Sequence, residues 1–236
     1  MNLLSSLEEL PAALQTASKA GISGDVLVEE LMTGPKVSVE IIVSGGVPHV
    51  LQVTDKLTSG APNFFEIGHI QPTSLSCEQR RAISEVALSV VPAVGLKNSA
   101  AHAEVMLTSN GPKMVELGAR LGGDWITSHL IWNSVSGIDM VETMIKLALG
   151  EEFSELSYSD SGKFVATKFL PAREGVLQEL NGIETARDSE GVIHVEVHGI
   201  VGKRYGKAVD DSARFASVVA SGNNGRRSVN QLRPCS

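Results

Sequence analysis

The residues from His102 to Asp124, HAEVMLTSNGPKMVELGARLGGD, place two carboxylates, an arginine and a glycine pair close together. Glu104 and Glu116 lie on what reads as the two strands of a hairpin. Two registers are open. If Asn110-Gly111 forms a two-residue turn, Ser109 pairs with Pro112, Glu104 faces Leu117, and the two acids fall on opposite faces. If Ser109-Asn110-Gly111 is a three-residue loop with Gly111 left-handed, Thr108 pairs with Pro112 and Glu104 faces Glu116. In that register two like charges stand about 5 Å apart, a destabilising arrangement when both are bare. A divalent cation removes the conflict, and hard Mg²⁺ suits carboxylate oxygens while keeping water and phosphate in its shell. Arg120 offers a planar fork for phosphate or carboxylate. Gly122 and Gly123 offer backbone N–H groups without an obstructing Cβ. Ordinary surface glutamates on an exposed hairpin are the competing explanation.

Other chemistry-bearing residues are more scattered. Glu29 and Glu30 follow the apolar residues that open the strand-like segment 26–32, and such a segment can offer backbone groups to a purine edge. Lys56 follows Thr54-Asp55, where a solvated strand-end lysine is the ordinary reading. Glu66 and His69 stand three apart in a passage bounded by glycine and proline, a candidate polar substrate contact. Trp125, Trp132, His194 and His198 read as packing residues. The sequence shows no nucleophile elbow, Ser-His-Asp pattern or Walker-type phosphate loop.

The elements needed to hold these groups can be read from periodicity. Residues 6–19 form an amphipathic helix that opens on a Ser6/Glu9 capping box. Residues 26–32 are a strand or strand end. Residues 36–56 are a Val/Ile-rich hairpin turning at Gly45-Gly46. Residues 57–76 are loop-rich. A helix spans 77–91, a hairpin spans 101–117, and a helix spans 137–150. Past residue 158 the texture turns β-rich, with KFVATKFL, GVLQEL, GVIHVEVHG and RFASVVASG as strands.

Composition sets limits on function. With 236 residues and 42% hydrophobic content, the chain can bury a substantial core. A net charge of −7 argues against bulk binding to nucleic acid or anionic membranes. Cys77 and Cys235 have no metal-like spacing, so a reduced, cytoplasmic protein is expected. No apolar run approaches the length of a membrane-spanning helix.

In order along the chain, VLVEELMTGPKVSVEIIV, VTDK, FEIGHIQPTSL and HAEVMLTSNGPKMVELGARLGGD resemble the C-terminal half of an ATP-grasp carboxylate–amine ligase, nearest to the L-amino-acid ligases. The resemblance implies an α+β fold: an antiparallel sheet with packed helices, plus a small β-rich C-terminal domain. The expected divisions are 1–158 for the ATP-grasp core lacking its N-terminal part, 159–222 for the small domain, and 223–236 for a disordered tail. By resemblance Glu29, Glu30 and Met32 pass the adenine, and Glu104 and Glu116 hold Mg²⁺ (Mn²⁺ as the alternative) against ATP. Arg120 steadies the acyl phosphate, and Glu66, His69, Gly122 and Gly123 line the substrate pocket. The implied catalytic residues are Arg120 and His69. The implied partners are a small-molecule carboxylate and an amine, with a separately encoded N-terminal half to complete the site. A face left open by that half would favour self-association. Two positions depart from the family pattern: Gly118 stands where an asparagine metal ligand is usual, and Lys36 where many members carry an acid. A non-catalytic accessory protein that keeps the fold is the alternative.

Overall fold

Along residues 37–43, Val37, Val39, Ile41 and Val43 alternate with Ser38, Glu40 and Ile42, a period of two that makes a strand with two different faces. A computed structural model, which describes residues 3–223, places this strand well inside an eight-stranded sheet. In chain order the elements are α1 (Leu10–Ala20), β1 (Lys36–Ser44), β2 (Val47–Thr58), β3 (Glu66–Gln71), α2 (Cys77–Ala93), β4 (Ser99–Thr108) and β5 (Gly111–Gly118). There follow a π-helix at Ile126–Ile131, α3 (Trp132–Ser134), β6 (Val135–Ser136), α4 (Met140–Ala148), β7 (Ser159–Asp160), β8 (Lys163–Pro171) and β9 (Gly175–Val176). The last are α5 (Ile183–Arg187), β10 (Val192–Val197), β11 (Arg204–Tyr205) and β12 (Arg214–Asn223). The large sheet runs β10-β12-β8-β3-β2-β1-β4-β5, with every neighbouring pair antiparallel. Strands on both sides of residue 158 therefore share one sheet. The tail expected from residue 223 lies, past that residue, outside the described residues.

One face of the sheet is closed by α2. A complete Ser76/Gln79 capping box starts this helix, and its Ile83, Ala87 and Val91 pack on Val37, Val39, Ile41, Val53, Ala101, Ala103 and Val105. Each fully buried Val or Ile contributes about 1.5–3 kcal/mol, so this interface sets the position of β1, β2 and β4. On the other face Ile42, Leu51 and Ala100 are covered by Ile126, Leu130, Ile131, Met140 and Leu147 from the π-helix and α4. Asp139 caps α4 by accepting from the N–H groups of Val141 and Glu142. Farther along β1, β2 and β4 that same face turns polar, and there the candidate residues gather.

The fold is the expected α+β architecture, with several local corrections. The 36–56 hairpin turns at Gly45-Gly46 with both φ values positive (57° and 83°), as a two-residue turn matched to strand twist demands. Residues 26–32 form no strand: Leu27, Val28 and Leu31 are exposed, and no sheet edge pairs with them among the described residues. Residues 57–76, read as loop, contain β3, which is held between β2 and β8. Its six residues include a glycine and a histidine, too few and too mixed to announce a strand, yet pairing on both edges fixes it. Gly68 is needed there, since a Cβ would lie 2.5 Å from the Thr167 carbonyl oxygen. The Ser6/Glu9 box does not close: Ser6 makes no cap bond, and the Ser5 N–H donates to the Glu9 carboxylate instead. Of GVLQEL only Gly175–Val176 is strand.

Candidate functional site

The β4–β5 hairpin answers the register question in a way neither expectation anticipated. Thr108 pairs with Gly111, which leaves Ser109-Asn110 as a two-residue turn. A bulge then intervenes between Glu104 and Val105: Val105 pairs with Met114, Glu104 with Glu116, and Val115 is the extra residue. Glu104 and Glu116 are thus register partners, but through a bulge rather than a three-residue loop. Their surroundings differ sharply. Glu104 is buried, and Glu116 is exposed.

Positive side chains meet the charge of Glu104. Lys36 and Lys56 are directly opposite each other on β1 and β2, a repulsive placement unless anions lie between them. Lys36 Nζ lies 2.7 Å from Glu104 Oε2, and Lys56 Nζ contacts Glu104 Oε1. Glu66, from β3, is the second anion, 2.7 Å from Lys56 Nζ and 3.5 Å from Lys36 Nζ. Burial alone would push the Lys56 ammonium down, but Glu66 and Glu104 raise it. Burial likewise pushes Glu104 up, yet His102, Lys56 and Lys36 hold it well below the usual carboxylate range.

His102 and Glu104 are two apart on β4 and share its face. His102 Nδ1 lies 2.8 and 3.0 Å from the two oxygens of Glu40, and its Nε2 is 3.6 Å from Glu104 Oε1. The Ser38 hydroxyl also donates to Glu40, at 2.8 Å. Burial would lower His102, but the carboxylates of Glu104 and Glu40 outweigh it and hold the imidazole up at about 9. Gly122 packs against this pair, since a Cβ would lie 2.7 Å from Glu40 Oε2 and 3.2 Å from His102 Nδ1. The sign for stability follows. A histidine raised from 6.5 to about 9 on folding stabilises the fold fully below pH 6.5, and that contribution is lost as pH rises through 9. In the metal-free chain the expected loss between pH 6 and pH 10 is about 3 kcal/mol, read from urea unfolding at several pH values. An imidazole NMR titration placing His102 near 6.5 would contradict it.

A second group adjoins the first. Asp124 and Trp125 are both left-handed, with φ of 52° and 69°, at the entrance to the π-helix. This turn presents Asp124 to Arg214 of β12, with Nη1 to Oδ2 at 2.9 Å. Arg214 also bonds Asp211 at 2.6 Å and the Glu66 carbonyl, and stacks 3.9 Å above the Phe169 ring. The His69 imidazole facing it, with Arg214 behind, outweighs burial and lowers Asp124 to about 2. Glu66 and His69 are three apart on a strand, where alternation would send them to opposite faces. A bulge at Ile67, where Thr58 pairs with Glu66 and Leu57 with Gly68, turns both toward Asp124.

Lys36, Lys56, Phe64, Glu66, His102, Glu104, Arg120, Gly123, Asp124, Ile126 and Asp211 line a cleft of about 370 Å³. A larger, mainly apolar hollow of about 620 Å³ lies beside Leu170, Val176, Tyr205 and Phe215, but it gathers none of the candidate residues. Of the candidates, Glu66, Glu104, Arg120 and Gly123 line the smaller cleft, His69 is buried behind it, and Gly122 supports it from within. Glu116 is the register partner of Glu104 on the exposed side, and Glu29, Glu30 and Met32 lie outside the lining. Arg120 folds back over Gly118, where a Cβ would lie 3.1 Å from its Nε, so a larger residue at 118 would displace it. Periodicity pointed to neither Glu40, His102, Asp124 nor Arg214. The available signal was polar residues at alternate positions of apolar strands: Lys36, Ser38 and Glu40 on β1, and His102 and Glu104 on β4.

Comparison with known proteins gives concordant results. The ATP-grasp domain family model matches residues 3–129, and that of L-amino acid ligase C-terminal domain 2 matches residues 168–233. Human carnosine synthase 1 is 25% identical over 130 residues, 55% of this chain and 16% of that protein. Alanine–anticapsin ligase of Bacillus subtilis strain 168 is 32% identical over 112 residues, 46% of this chain and 22% of that one. The crystal structure of an L-amino acid ligase from Bacillus licheniformis superposes with a TM-score of 0.75 at 25% identity, covering 83% of this chain and 48% of that one. The chain thus spans under a quarter of these two curated relatives and about half of the solved ligase.

Proposed function

This chain belongs to the ATP-grasp domain family, and from that premise we propose that it carries the metal and substrate end of an ATP-dependent carboxylate–amine ligase. The observation that supports this reading most is a buried Glu104, held as a carboxylate in a cleft lined by Lys36, Lys56 and Arg120, with the exposed Glu116 as its register partner. An ATP-grasp ligase activates a carboxylate as an acyl phosphate, which an amine then attacks. Charge builds on the transferring phosphoryl group, and cationic groups stabilise it.

The donor set fits Mg²⁺, because Glu104 and Glu116 offer the hard oxygen ligands it prefers. Bound there, Mg²⁺ would neutralise charge on the ATP phosphates. Lys36 and Lys56 hold Glu104 as a carboxylate and fix its orientation, and His102 with Glu40 braces it from the other side. Arg120, exposed at the rim, can turn its fork to an acyl phosphate or substrate carboxylate. Glu66 and Gly123 form the substrate wall with His69 buried behind it, and Glu29, Glu30 and Met32 the adenine-side segment. In this reading residues 1–158 and 159–222 act as core and small domain, a polypeptide with the N-terminal half of the fold completes the nucleotide site, and the protein is cytoplasmic. No helix of the described residues is long and apolar enough to cross a membrane.

Titration with ATP and Mg²⁺, with the chain alone and mixed with the N-terminal half, tests this. We expect Mg²⁺-dependent nucleotide binding, and ADP release that needs both a carboxylate and an amine. Absence of binding in both settings would favour a non-catalytic accessory role.

A further inference from the structure

Beside the carboxylates assigned above to Mg²⁺, a different set of ligand atoms converges. One carboxylate oxygen each of Glu66 and Asp124 and a ring nitrogen of His69 lie within 4.8 Å of one another. His69 is fully buried, and neither ring nitrogen has a hydrogen-bond partner. An imidazole held out of water with nothing to bond costs stability, so its orientation calls for a cause. Its Nε2 points between the two carboxylates, 3.5 Å from Glu66 Oε2 and 3.8 Å from Asp124 Oδ2. Both distances are too long for hydrogen bonds. They do suit two ligands of one ion, because atoms bound at about 2.1 Å to a tetrahedral metal stand roughly 3.4 Å apart.

We propose that Glu66, His69 and Asp124 form a binding site for a divalent transition-metal ion of the Zn²⁺ class, separate from the Glu104/Glu116 pair and independent of nucleotide. One imidazole and two carboxylates are a donor set that this class accepts and that Mg²⁺ does not favour. The carboxylates are already held in place: Glu66 Oε1 by Lys56 at 2.7 Å, and Asp124 by Arg214 at 2.9 Å. Each carboxylate has spare lone pairs for a metal, and such outer bonds orient ligating acids in metal sites. Two bulge and turn distortions, at Ile67 and at the left-handed Asp124, are what bring the three ligands together. Glu66 and Asp124 also line the cleft, so a substrate carboxylate or amine would meet the ion there.

Calorimetry with ZnCl₂, and the visible absorption of Co²⁺ as a stand-in, test this on the full chain without nucleotide. We expect one ion per chain, with affinity reduced at least about tenfold in Asp124→Asn and His69→Gln and unchanged in Glu116→Gln. Asn tolerates the left-handed backbone at position 124, so Asp124→Asn tests the site without disturbing the buried position 69. No Zn²⁺ binding by the wild-type chain would overturn the proposal. So would binding that Glu116→Gln weakens and Asp124→Asn leaves alone. Because nucleotide is omitted, neither result bears on the ligase reading.

Discussion

Glu116→Gln is expected to abolish Mg²⁺-dependent ADP release, by about 10²-fold or more, in the enzyme completed by the N-terminal half of the fold. The residue is exposed. Substitution at such a surface position changes stability by about 0.5 kcal/mol or less. Glutamine keeps the size and the strand position but removes the charge that Mg²⁺ needs. Activity and stability are therefore expected to separate: urea unfolding unchanged, turnover gone. If turnover persists, the metal is held elsewhere and the assignment of Glu116 is wrong.

The opposite pattern is expected at its register partner. Glu104→Leu removes the anion shared by Lys36, Lys56 and His102, three cationic groups gathered on one carboxylate. Lys56 is buried and would keep only Glu66, while His102 would keep only Glu40. Breaking a buried ion pair by deleting one partner costs about 3–5 kcal/mol, because the remaining charge stays desolvated. A drop of that size in unfolding free energy is the expected result, together with a fall in the His102 pKa measured by NMR. A loss under about 1 kcal/mol would mean that Lys56 and His102 are stabilised by Glu66 and Glu40 alone. The two glutamates thus have different physical tasks although they face each other in one ladder: Glu104 organises the cleft, and Glu116 faces the solvent where a metal would arrive.

The hairpins and the long helix were legible because their signals are local. Val37, Val39 and Ile41 alternate, Gly45-Gly46 supplies two positive φ values, and Ser76 with Gln79 starts α2. The segment at 26–32 has the same apolar content, yet it forms no strand, since no strand among the described residues pairs with it. β3 shows the converse: an unpromising sequence becomes a strand because β2 and β8 bond both its edges. The bulges at Val115 and Ile67 were equally hidden, because an extra residue leaves the apolar pattern almost unchanged while it redirects every side chain beyond it.

By itself the sequence determined which residue types were available: two glutamates on one hairpin, Arg120 beyond it, a Glu66/His69 pair, and an order of motifs resembling ATP-grasp ligases. Tertiary structure decided which of them meet. Asp124 and Arg214 are 90 residues apart and touch only because β12 enters the same sheet. Lys36 and Lys56, which read as solvated or anomalous, became the counter-charges of Glu104 and Glu66 once β1, β2, β3 and β4 were laid side by side. Periodicity reports how a segment sits on its own backbone. The energy of a charged cleft depends on distances across strands, and pairing alone sets those.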